Sequence, residues 1–460
     1  MEAGRRGVER HPAEVDYVVT GLSPVPGPLE LCERLAHLPD LLLLDSAAPG
    51  ATGRFSYLMA DPVRVVSGRV PDDALASAEA ALAPHRAAPV PGLPPFQGGL
   101  AGYIGYEYGR VLERLPAPRS DDVPLPDLRL GLYDWVIAWD HAAGAAWLVS
   151  TGIPEAGKGR RRRAEARARD VMGLIAGAGP ASDPVRHSGV EAASNFTRAE
   201  YVAAVARVRE YILAGDVFQV NIAQRFEAPL ATSPLALYRR LRDRNPAPYA
   251  AYLDAGDFQL VSASPERFLR LDGDLVETRP IKGTRPRGAD AATDAALAAE
   301  LASSGKDRAE NVMIVDLLRN DLSRVCRPGT VSVPALLALE TLPTVHHLVS
   351  TVTGRLEPGL GAFELLRAAF PGGSITGAPK VRAMEIIAEL EPVRRAAYCG
   401  SIGYVSVTGD MDTSIVIRTC VVANGKVYFH AGGGIVADSD PEAEYDETLH
   451  KARAILEALA

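Results

Sequence analysis

The stretch Thr278-Arg279-Pro280-Ile281-Lys282-Gly283-Thr284-Arg285 sets one lysine between a rigid Arg-Pro and a flexible Gly-Thr. Proline fixes its own φ and glycine frees its own peptide, so the segment can hold Lys282 still while a ligand approaches the backbone. An amine attacks only when neutral, and an unperturbed lysine has a pKa of about 10.4. Arg279 and Arg285 are the cations nearest in sequence, and either can lower that pKa.

Two carboxylate pairs have one-turn spacing: Asp307 with Glu310, and Glu444 with Glu447. Each alone reads as solvated helix surface. If the two faces converge, four carboxylates repel unless a cation sits between them, and a hard, oxygen-preferring ion such as Mg²⁺ suits such a site. His347 leads into an apolar strand, as a hydrogen-bonded core histidine or as a proton donor or acceptor. Arg418 sits inside the apolar run Ile415-Val416-Ile417-Arg418-Thr419 and must find an anion, either a ligand carboxylate or an internal partner. Gly432-Gly433-Gly434 can offer backbone N–H groups to a carboxylate or form a plain turn or bulge. The loop Pro371–Lys380 places Ser374, Thr376 and a lysine before a helix, without the spacing of a phosphate-binding Walker loop.

The elements that carry these residues alternate irregularly. Strands are expected at 258–263, 268–271, 275–278, 349–355, 401–407, 413–423 and 426–431, and helices at 160–175, 307–322 and 441–459. Thr197 and Glu200 form a capping box that opens a helix stopping at Gly215. Leu130–Trp139 and Ala145–Thr151 read as a hairpin, and Gln97–Tyr106 as a glycine-dependent sheet corner. Asn424-Gly425 favours antiparallel pairing. The class is α+β, with antiparallel sheets. Three regions follow: 15–152, a connector at 153–194 with a solvated Arg-rich helix and a Gly/Ala/Pro/Ser-rich tail, and 195–460.

A net charge of −8 disfavours a nucleic-acid partner, since no basic field displaces counterions. No run approaches the roughly 18 apolar residues of a membrane span, and the polar stretch Met1–Glu14 lacks the apolar segment of a secretory signal. Cys32, Cys326, Cys399 and Cys420 have no metal spacing and read as reduced thiols of a cytoplasmic protein.

As an ordered set the motifs resemble the chorismate-utilising enzymes, from about Tyr17 onward. The strings are Gly215–Asn221, Ser264-Pro265-Glu266-Arg267-Phe268, Pro280–Thr284, Ala309-Glu310-Asn311, Arg319-Asn320-Asp321, His347–Ser350, Gly377–Met384 and Ala431–Asp438. The resemblance implies a fold of antiparallel sheets packed as a sandwich and flanked by helices. It implies Glu310 and Glu447 as direct Mg²⁺ ligands, with Asp307 and Glu444 reaching the ion through water. It implies Ser374, Tyr398, Arg418, the Gly432–Gly434 backbone and Lys451 as chorismate contacts, and His347 as the residue assisting loss of the C4 hydroxyl. Lys282 matches the nucleophile of the aminodeoxychorismate synthase branch, where anthranilate synthases usually carry alanine. Gln219 stands where isochorismate and salicylate synthases carry a water-activating lysine, which disfavours those activities. The expected activity is amination of chorismate to 4-amino-4-deoxychorismate for p-aminobenzoate and folate, with anthranilate synthesis or a non-catalytic chorismate-binding role as alternatives. No Gly-x-Cys-x-Gly elbow occurs, so a glutamine amidotransferase partner is expected to supply ammonia. Leu43-Leu44-Asp45-Ser46, with Asn245–Tyr249, resembles a tryptophan pocket of the family and competes there with a plain buried strand end.

Overall fold

The computed structural model describes residues 17–48, 50, 52–177, 191–343 and 345–460. Met1–Glu14 and the tail of the connector from 178 to 190 lie outside these residues. Two antiparallel sheets, of twelve and ten strands among the described residues, form the body. In each sheet the strands from before the connector form one block and those from after it another, and the two blocks meet at a single seam. In the larger sheet Leu41–Asp45 pairs with Tyr249–Asp254, and in the smaller Gly99–Ile104 pairs with Ser401–Ser406. The fold is the antiparallel α+β arrangement expected. The connector does not divide the sheets, because residues on both sides of it contribute to each.

Five strands and three helices position the site. They are β1 (Gln219–Pro229), β2 (Arg267–Asp272), β3 (Ile281–Pro286), β4 (Val345–Arg355) and β5 (Lys426–Ile435), with α1 (Gly305–Ser323), α2 (Lys380–Leu390) and α3 (Pro441–Leu459). Ser304 caps α1 by accepting the Asp307 N–H at 3.3 Å, and the helix buries Ile314, Val315, Leu318 and Leu322. Asp440 caps α3 at Ala443, with Pro441 in the first turn. The Thr197–Glu200 capping box is present, and its helix, Arg198–Leu213, ends before Gly215 at φ +85°. Asn424 and Gly425 take φ of +51° and +72° in the tight turn before β5. No helix among the described residues is long and apolar enough to cross a membrane.

Two runs read as continuous strands are each cut in two. Leu128–Tyr133 lies in the smaller sheet and Trp135–Asp140 in the larger, with Asp134 between them. Met411–Ile415 and Thr419–Ala423 divide likewise, with Arg418 at φ +53° on the crossing. Arg418 is therefore a crossover residue and not a strand residue. A third crossing, from Phe258–Ser264 to β2, passes through Pro265 and Glu266. Each crossing carries an ionisable side chain where the chain leaves one ladder for another. Asp134 is fully buried and is held by Arg163 and Arg167, each at 3.2 Å. The Arg-rich helix, Gly157–Ala176, is thus not simply solvated. Gln97–Tyr106 is no corner either. It contains the strand Gly99–Ile104, whose Gly102, at φ +149°, lies against the Arg129 carbonyl where a side chain would not fit.

Candidate active site

Lys282 lies on β3 opposite Leu348 of β4. The register slips between Lys282 and Thr284, and Gly283 takes φ +79°. A Cβ at Gly283 would meet Leu301 at 2.8 Å and Asp307 at 2.9 Å, so the bulge that aims Lys282 depends on glycine. The side chain is buried, at 9% exposure. Burial lowers its pKa, Glu310 and Glu266 oppose that, and Lys451 adds to the lowering. The two arginines expected to do this are engaged elsewhere. Arg279 pairs with Glu340, and Arg285 with Glu300 and Asp307. An arginine beside a lysine in sequence points across a strand to its own acid.

Glu266 is the group that sequence reasoning missed as a site residue. Its carboxyl is buried on the third crossing and raised to about 7, chiefly by burial, while Ser374, Lys282 and the Ile281 N–H draw it down. Ser374 is buried in a single 3-10 turn, Gly373–Ile375, just ahead of α2. The available signal was an acid at the crossing between two strand-like runs, in the same string as an already suspect family motif.

His347 lies within β4, not ahead of it, and its Nδ1 is 2.9 Å from Thr284 Oγ1. Burial, then the charge of Arg418, lowers its pKa to about 4, so it is neutral at pH 7. It can accept or relay a proton but does not arrive as an imidazolium. Its neighbour His346 bonds Asp294 and Thr341 instead.

Gly432, Gly433 and Gly434 are strand residues of β5, paired to Ala223, Ile222 and Asn221 of β1. Pairing on the other edge of β5 stops at Phe429, so that edge of the glycines carries no strand. This corrects the turn reading. A Cβ on Gly433 would stand 3.2 Å from Glu444 Oε2, 3.4 Å from Glu447 Oε1 and 3.7 Å from Lys451 Nζ. Two carboxylates thus converge over one glycine. Lys451 donates to Glu447 at 2.5 Å and to the Gly432 carbonyl at 2.9 Å, and Lys306 donates to Glu444 at 3.0 Å. Glu310 faces them from α1, its carboxyl raised first by burial and further by Glu444 and Asp307. Asp307 leans to Arg285 at 3.2 Å. The donor set is all oxygen and suits a hard cation, but no three ligands close on one point among the described residues. Ammonium groups stand against Glu444 and Glu447.

Arg418 is mostly buried, and no ion pair or side-chain hydrogen bond reaches its guanidinium among the described residues. No internal salt bridge accounts for it among the described residues. Tyr398 stacks on His430, with centroids 4.8 Å apart, and lies 5.7 Å from the Arg395 guanidinium. Gln219 is fully buried against Gly434, and neither of its amide atoms has a hydrogen-bond partner among the described residues. Ser46 lies elsewhere, donating to the Phe55 carbonyl at 2.6 Å and lining a cavity of about 210 Å³ with Tyr57, Tyr249, Arg267, Tyr404 and Asp412.

The profile of the family described as chorismate binding enzyme matches residues 43–457. An aminodeoxychorismate synthase component 1 of Salmonella typhimurium is 46% identical over 440 residues, 92% of this chain and 94% of that protein. An anthranilate synthase component 1 of Streptomyces coelicolor is 43% identical, over 97% of this chain and 88% of that protein. The crystal structure of anthranilate synthase component I from Streptococcus pneumoniae superposes with a TM-score of 0.79 at 31% identity, covering 98% of this chain and all of that one. With this agreement along nearly its whole length, the chain belongs to the chorismate-binding enzyme family.

Proposed function

We propose that the protein is the component I of an aminodeoxychorismate synthase, converting chorismate and ammonia to 4-amino-4-deoxychorismate for p-aminobenzoate and folate. One observation carries the choice of reaction: an amine, Lys282, stands buried among Glu266, Glu310 and Glu447, with its pKa lowered by that burial. The amine Nζ bonds to C2, both ring double bonds shift, from C1=C2 to C1=C6 and from C5=C6 to C4=C5, and the C4–O bond breaks. Glu266, whose raised proton affinity keeps a substantial fraction of it protonated near pH 7, gives its proton to the departing hydroxyl, which leaves as water. Ammonia then bonds to C4 as the C2–N bond breaks and Lys282 is released. Arg418 and Lys451 supply positive charge for the substrate carboxylates, and Gln219, a neutral amide, supplies no base at its own position to activate water.

Glu310 and Glu447, with Asp307 and Glu444 behind them, would hold Mg²⁺, which when bound offsets charge on the substrate. Ammonia comes from a separate glutamine amidotransferase, consistent with four buried cysteines and no nucleophile elbow. The cavity beside Ser46 is of a size and lining for an aromatic amino acid, and tryptophan is its proposed ligand. The test is incubation of purified protein with chorismate, Mg²⁺ and ammonium, with products identified by chromatography and mass. Aminodeoxychorismate supports the reading. Anthranilate as the main product overturns it in favour of amination at C2, the reaction named for the Streptomyces relative.

A further inference from the structure

Lys306 precedes Glu310 by one turn of α1 and crosses to α3, where its Nζ donates to Glu444 Oε1 at 3.0 Å. Glu444 is buried and takes a second hydrogen bond from Ser439 Oγ at 2.6 Å. The Lys306 side chain is 45% exposed, so its ammonium reaches a buried carboxylate from the solvent side on a flexible stem. Lys451 differs. It serves Glu447 but is also tied to the Gly432 carbonyl, whereas Lys306 has no second anchor among the described residues.

We propose that Lys306 is a built-in counter-ion for the carboxylate cluster, holding Glu444 while no divalent cation is bound and swinging to solvent when one enters. The proposal rests on the magnesium reading above. With Glu444 reaching the ion through water, an ammonium on its Oε1 and a divalent cation beside it still repel each other at short range. Cation entry therefore works against the lysine contact, and the affinity of the substrate-free protein is held down accordingly. In return Glu444 is never left buried and unpaired beside Glu310 and Glu447.

Mn²⁺ titration of the substrate-free protein, followed by the electron spin resonance of the free ion, tests this in wild type, Lys306→Met, Lys306→Arg and Glu447→Gln. Lys306→Met should bind Mn²⁺ about tenfold tighter or more, and Lys306→Arg should stay near wild type. Mg²⁺ should also raise the melting temperature of Lys306→Met by more than that of wild type. Binding lost in Glu447→Gln but no tighter in Lys306→Met overturns the role of the lysine alone. Mn²⁺ binding unaffected by Glu447→Gln, or no binding in wild type and Lys306→Met alike, overturns the metal assignment and the counter-ion with it.

Discussion

Replacing Lys282 by methionine separates a nucleophile from a salt-bridge partner. The side chain is 9% exposed, and no hydrogen bond to its Nζ occurs among the described residues. Making an unperturbed lysine neutral at pH 7 costs about 4.6 kcal/mol, from about 3.4 units at about 1.36 kcal/mol each, and burial supplies part of this at the expense of stability. Methionine has similar length and no charge to desolvate. Lys282→Met should therefore stabilise the fold by about 1–3 kcal/mol at pH 7, while C4 amination falls about a thousandfold or more. The unfolded chain keeps the lysine proton up to about pH 10.4, whereas the folded chain releases it earlier. Wild-type stability thus rises with pH across that window, and its gap to the variant narrows. Urea unfolding at pH 7 and pH 9.5, with product quantified by chromatography, measures both effects. A variant less stable by about 3–5 kcal/mol, with near-normal kcat and a raised KM, would make Lys282 an ion-pair partner and end the covalent mechanism.

Glu266→Gln should remove a fall in wild-type kcat as pH rises through about 7, leaving a low, flat profile. It should also remove a stability contribution present at low pH and lost between about 4.5 and 7, since the folded carboxyl holds its proton longer; denaturant curves at pH 5 and 8 check this. Gly433→Ala puts a methyl 3.2–3.4 Å from Glu444 and Glu447, so activity should drop while melting stays near wild type. Gly434→Ala collides with the buried Gln219 amide and should lower the melting temperature as well. Arg163→Ala with Arg167→Ala leaves Asp134 buried and unpaired, for a loss of about 3–5 kcal/mol in urea unfolding and little direct change in chemistry. Calorimetry should detect tryptophan binding that Ser46→Trp, which fills the cavity, abolishes; a flat titration of ligand-free wild type removes the pocket assignment.

What sequence made legible was local. A capping box, a proline-started helix and an Asn-Gly turn need only neighbours along the chain, and all three stand where the residues put them. One-turn spacing likewise put Glu444 and Glu447 on a shared face over Gly433. The strand breaks at Asp134 and Arg418 were not read, because hydropathy is continuous through them: both flanking runs are buried, merely in different sheets. The charged residue inside each apolar run was the available sign. Partnerships of arginines were also illegible, since Arg279 reaches Glu340 across strands and sequence distance says nothing of that. Glu266 owes its raised proton affinity to burial at the crossing, which Ser374, Ile281 and Lys282, none of them its neighbour along the chain, only partly offset.

The seam that joins early to late strands in each sheet bears on how the chain is made. Leu41–Asp45 emerges roughly 200 residues before its partner Tyr249–Asp254, and Gly99–Ile104 about 300 before Ser401–Ser406. At about 5–20 residues per second of synthesis, the apolar edge Leu41–Leu44 waits at least about ten seconds on the ribosome for the strand that covers it. Such an edge invites pairing with other nascent chains. Truncated products ending before residue 400 should lack the strand that closes Gly99–Ile104, and neither half expressed alone can complete either sheet. Chaperone holding during translation, and co-expression of both halves instead of mixing after purification, are what this topology demands.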